Sequence, residues 1–103
     1  MSSNGDRRRF IVEEFEAWAG MIVVVLDRLV AAIKKQTMEE PQRLELSIGA
    51  RKIDNLFASM EDIVEIQDES DILFEEFTRQ IDRLREVISD MHAILDRLLE
   101  SDQ

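Results

Sequence analysis

Glu61, Asp62, Glu65 and Glu69 are the residues of this chain whose type and spacing could do chemistry. Glu61, Glu65 and Glu69 recur at every fourth position, so on a helix their carboxylates stack along one face. Stacked carboxylates repel one another unless a basic partner or a divalent cation neutralises them, and carboxylates on neighbouring helices can hold Mg²⁺. Asp54 and Asp68 extend the set to an acidic patch of Asp54, Glu61, Asp62, Glu65, Asp68 and Glu69. From Ile53 to Thr78 there are nine acids and no Lys or Arg. Such a run reads as a solvated outer face, as a docking patch for a basic protein, or as a divalent-metal site. In a variant of the second reading, the carboxylates from Asp54 to Glu76 mimic the phosphates of a nucleic acid.

Other chemistry is sparse. The chain has no Cys, which removes disulfides, thiolate metal sites and Cys nucleophiles together. No Ser sits in an elbow motif, and Gly5, Gly20 and Gly49 do not make a phosphate-cradling loop. His92 is the only histidine and falls at the edge of a helical seam, four residues after Ile88. No catalytic residue, metal-ligand set or cofactor is assigned.

Asp62 and Glu65, with Glu61 and Glu69, are loosely similar to the ExxE and ExxD elements that all-α nucleotide pyrophosphohydrolases pair across two helices. That resemblance implies a metal-dependent hydrolase. Its second element would have to come from Glu75 and Glu76, and the Asp of that element is not apparent. A phosphotransfer bundle would carry a Lys three residues after its His and then a Gly. Here Leu95 and Asp96 stand at those positions, so His92 is read as a seam-edge histidine.

The elements that must position these residues are helices. Phe74, Phe77, Ile81, Leu84, Ile88, Met91, Leu95 and Leu98 are spaced 3, 4, 3, 4, 3, 4, 3, the pattern of a helix that lays one seam against others. Leu73, Val87 and Ile94 flank that seam, so this helix touches two neighbours rather than one. Ile11, Phe15, Trp18, Ile22, Val25, Leu29 and Ala32 give an earlier helix the same spacing, with a second line at Val12, Ala19, Leu26 and Ile33. Ile22 to Val25 is β-branched, but no turn signals surround it, so it is read as helix rather than strand. Between the two lies a seam of Ile53, Leu56, Met60 and Ile63, with Phe57 and Val64 beside it. Gly49 marks a weak point or kink there, and Pro41 suits a helix start.

The sequence therefore predicts an all-α chain: an antiparallel up-down-up three-helix bundle, completed by dimerisation. The helices are expected at about 7–38, 41–67 and 69–99, after a disordered N-terminus at 1–6, with Asp6 and Asp68 as N-caps. Residues 7–100 make one domain. In that topology Arg7, Arg8 and Arg9 lie beside the acidic end around Asp62 to Glu69, which offsets their unfavourable place on the helix dipole.

The first helix carries more apolar surface than a three-helix bundle covers. Trp18, Met21, Ile22, Val23, Val24, Leu26 and Val30 are the candidate partner or dimer interface. With 23 acids against 13 bases, a net charge of -10 argues against direct nucleic-acid binding and for solubility. The most apolar run, Met21 to Leu26, is too short to span a membrane, no signal peptide is read, and the composition fits a cytoplasmic protein. In size and composition the chain resembles the small acidic helical chaperones of bacterial secretion systems. The expected function is a protein-interaction module: an adaptor, chaperone or regulator that forms a homodimer and binds a protein partner. A metal-dependent nucleotide hydrolase and a nucleic-acid mimic that binds a basic protein are the alternatives.

Overall fold

A computed structural model of the protein describes residues 3–35, 39–66 and 70–100. All three segments are helical: α1 (Ser3–Lys35), α2 (Glu40–Ile66) and α3 (Asp71–Glu100). Among the described residues there is no strand, and Ile22 to Val25 lies inside α1. None of these helices is long and apolar enough to cross a membrane.

Each helix packs on both of the others, and the molecule measures 56 × 20 × 17 Å. The core follows the seams expected from spacing and adds Leu46 of α2, which lies seven residues before Ile53 and outside the expected seam. Ile11, Trp18, Ile22, Val25 and Ala32 of α1 are buried together with Ile53, Met60 and Ile63 of α2. From α3 come Phe77, Ile81, Leu84, Ile88, Met91, Leu95 and Leu98. Phe15, Leu29, Leu56, Phe57 and Phe74 pack half-buried at its margin. Phe15 and Phe57 stack at 4.4 Å with their planes 10° apart, joining the first half of α1 to the second half of α2. Phe10 meets Phe74 at 5.5 Å, and Arg7 lies over the Phe74 ring while its guanidinium pairs with Asp71.

The helix starts differ from expectation. α1 begins at Ser3, so Asp6 lies in the first turn rather than capping it, where its charge still suits the dipole. Asp68 and Glu69 lie outside the described residues, and the cap on α3 is Ser70. Its Oγ accepts from the Leu73 amide at 3.3 Å and its carbonyl from the Phe74 amide at 3.1 Å. At α2 the Glu39 carbonyl accepts from the Arg43 amide, and the Gln42 side chain reaches back to the Glu39 amide at 3.1 Å. That return bond is half of a capping box. Pro41 sits in the first turn, where its missing N–H has no partner to lose.

α2 runs unbroken through Gly49, which is buried. The reason is a helix crossing: a Cβ at this position would stand 2.8 Å from Met91 Sδ and 2.9 Å from Met91 Cγ. Glycine is kept because α3 occupies the space, at a cost in helix propensity.

Two outcomes test this packing. Leu84→Ala, at a fully buried position, should cost about 2–5 kcal/mol in urea denaturation. Gly49→Ala should lower stability by up to ~2 kcal/mol, because overpacking outweighs the gain in propensity. In a Met91→Ala background the same change should stabilise by about 1 kcal/mol, and a four-chain denaturation cycle reads the reversal.

Candidate functional site

Four of the six residues of the acidic patch are described, and all four lie on α2. Asp54, Glu61, Asp62 and Glu65 are all exposed on α2, while Asp68 and Glu69 lie outside the described residues. Among the described residues no three His, Asp or Glu side chains come close enough to share an ion. The candidate second element is used along its own helix. Glu76 pairs with Arg79 at 2.5 Å and accepts from Gln80 Nε2 at 2.6 Å. Gln80 is buried, and its Oε1 has no hydrogen-bond partner, which leaves one uncompensated polar atom in the core.

His92 is half-buried at the contact between α1 and α3. Its Nδ1 lies 2.6 Å from Arg28 Nη1. A guanidinium only donates, so Nδ1 is the acceptor and the ring proton sits on Nε2. The other terminal nitrogen of Arg28 pairs with Asp96 at 2.5 Å. Arg28 thus clamps the second half of α1 to the end of α3, and the histidine is part of that clamp.

Nine positions between Ala17 and Ile33 are exposed: Ala17, Gly20, Met21, Val23, Val24, Asp27, Val30, Ala31 and Ile33. Only Asp27 is charged. Val23 and Val24 are 57% and 55% exposed, Met21 50% and Val30 48%. This contrasts with α3, whose exposed positions from Glu75 to Arg97 carry no large apolar side chain. Elsewhere the exposed apolar residues stand in ones and twos, as Leu44 with Ile48 does, or Ile72.

The seven candidate interface residues therefore divide. Met21, Val23, Val24 and Val30 are exposed, Leu26 is half-buried, and Trp18 and Ile22 belong to the core. Trp18 Nε1 donates to Glu14 Oε1 at 3.3 Å and its ring carries the Arg85 guanidinium at 5.6 Å. Trp18 lines, with Met21, Val24, Ile88 and His92, an open groove of about 540 Å³ between α1 and α3. Ala17, Gly20, Ala31 and Ile33 also belong to the face. Small residues carry little hydrophobic signal, so spacing that follows large apolar residues passes over Ala17 and Gly20, whereas Ala31 belongs to the apolar surface the sequence places round the middle of the helix.

Comparison with protein-family models, with curated proteins and with solved structures finds no match to this chain.

Since Glu65 is exposed and has a like charge, Glu61, one turn before it on α2, Glu65→Ala should leave stability within about 0.5 kcal/mol of the parent or raise it slightly. A loss well beyond that in thermal unfolding would reveal a specific partner for its carboxylate.

Proposed function

We propose that the protein is a helical interaction module of the adaptor or chaperone kind, which docks another helix on the outer face of α1. One observation carries this reading: over the four turns from Ala17 to Ile33, the water-facing side of α1 presents a single charge. A helix that meets only water normally carries charged and polar residues on its outer face, as α3 does. Contiguous exposed apolar surface of this kind marks an interaction site.

The topology that goes with this reading is up-down-up and antiparallel. The pairing of Phe15 with Phe57 and the approach of Gly49 to Met91 favour α2 running opposite to both neighbours. Arg7 with Asp71, and Arg28 with Asp96, favour α1 and α3 running together. Sequential helices joined by short connections usually alternate in this way. α1 then sits at an apex, with α2 and α3 behind it and its outer face turned away from both. In this arrangement the bundle is completed by a helix from outside the chain, and dimerisation supplies one.

The test substitutes Val23→Lys together with Val24→Lys, both exposed, so the fold should persist by circular dichroism. The wild-type chain should retain a protein from native extract that the substituted chain does not. Identical capture by the two chains would end this reading.

A further inference from the structure

We propose that the helix covering the outer face of α1 is α1 of a second copy, running antiparallel about a two-fold axis at Val24. This rests on the reading of α1 as a docking face, and it names the occupant.

The charges at the two ends of that face argue for the pairing. Glu13 and Glu16 are exposed before it, and Lys34 and Lys35 are exposed after it. Glu13 lies eleven residues before Val24 and Lys35 eleven after it, so an antiparallel pair centred on Val24 brings Glu13 of one copy opposite Lys35 of the other. Glu16 then falls about 3 Å along the axis from Lys34, at ~1.5 Å per residue. The match occurs twice, once at each end. A parallel pair would instead stack acid on acid and base on base.

The middle of the face fits the same geometry. Ala17, Gly20, Val24, Asp27 and Ala31 are spaced 3, 4, 3, 4, a seam opposite the one that enters the core. Ala17 and Ala31 each lie seven residues from Val24 and therefore face each other across the pair. The seam is narrow enough for two backbones to approach closely. Gly20 supports this: an added Cβ there would meet nothing within 4 Å, so packing inside the chain does not require glycine. Gly49, by contrast, is explained by Met91. Asp27 stands opposite the Gly20–Met21 turn of the other copy, and one polar residue in an apolar seam fixes register at some cost in stability. The stretch from Ala17 to Ile33 holds only Asp27 and Arg28 as charges and is neutral. Two copies can therefore meet there despite a net charge of -10 on each.

The chain has no cysteine, so single introduced thiols report orientation cleanly. The purified full-length protein should sediment as a dimer at micromolar concentration. Val24→Cys should cross-link to itself on mild oxidation, because the axis brings the two positions within disulfide reach. Ala17→Cys mixed with Ala31→Cys should give the mixed disulfide at least tenfold above either self-product. Glu13→Lys with Glu16→Lys alters only exposed side chains and should weaken self-association at least fivefold at low salt. A monomer up to several hundred micromolar overturns the proposal, as does a dimer that Val23→Lys with Val24→Lys leaves intact. Self-cross-linking of Ala17→Cys above the mixed product, or no effect of the glutamate reversal, overturns the antiparallel arrangement. A monomer that still captures a protein through Val23 and Val24 separates failure here from failure of the docking reading.

Discussion

A helix packed against two neighbours turns only part of its circumference inward, and that limit governs this molecule. Each helix gives one seven-residue seam to a shared core, and α3 gives the most, with seven fully committed positions from Phe77 to Leu98. On α3 the exposed positions from Glu75 to Arg97 are mostly charged, so composition and packing agree there. On α1 they do not. Its inward seam is buried at Ile11, Trp18, Ile22, Val25 and Ala32, yet much of the outward side is apolar too. Hydrophobic burial is roughly proportional to area removed from water, so this outward side is an unused source of stabilisation.

Electrostatics serve alignment more than stability here. Arg7–Asp71 and Arg28–Asp96 join the starts and the second halves of α1 and α3, and both pairs are largely open to water. Exposed ion pairs contribute about 0–1 kcal/mol each. In the proposed up-down-up arrangement they help select which end of α3 meets which end of α1, a choice that a uniform apolar seam leaves nearly degenerate. His92 takes part in the same contact as an acceptor for Arg28, which gives the histidine at the seam edge a structural role.

The three seams were legible in the sequence because seven-residue recurrence is a property of single helices. The core positions of α3 follow from spacing alone. What spacing could not give depends on neighbours. Trp18 and Ile22 were candidates for an interface, but they lie on the inward side, and only the direction of α2 and α3 relative to α1 decides that. The cap at Ser70 and the Gln42–Glu39 return bond turn on a shift of one or two residues in helix start, which apolar periodicity does not fix. Gly49 read as a weakness in α2, whereas its cause is a methionine forty-two residues away. The carboxylates of α2 were correctly placed on one helix, but a shared site needs groups from a second helix, and Glu76 is turned along its own.

Net charge bears on which surface can associate, not only on solubility. Self-repulsion between chains of charge -10 disfavours every contact that brings acidic faces together. α2 presents Asp54, Glu61, Asp62 and Glu65 outward, and the outer face of α3 alternates acids with arginines. The middle of α1 is distinguished by how few charges it carries, only Asp27 and Arg28 from Ala17 to Ile33, and opposite charges flank it. The acidity of the remaining surface therefore acts as a filter. On the proposed reading of α1 as a docking face, it penalises association through the acidic end of α2, leaves the outer face of α1 with its single exposed Asp27 nearly unpenalised, and lets the acidic and basic ends of that face favour one orientation of what it meets.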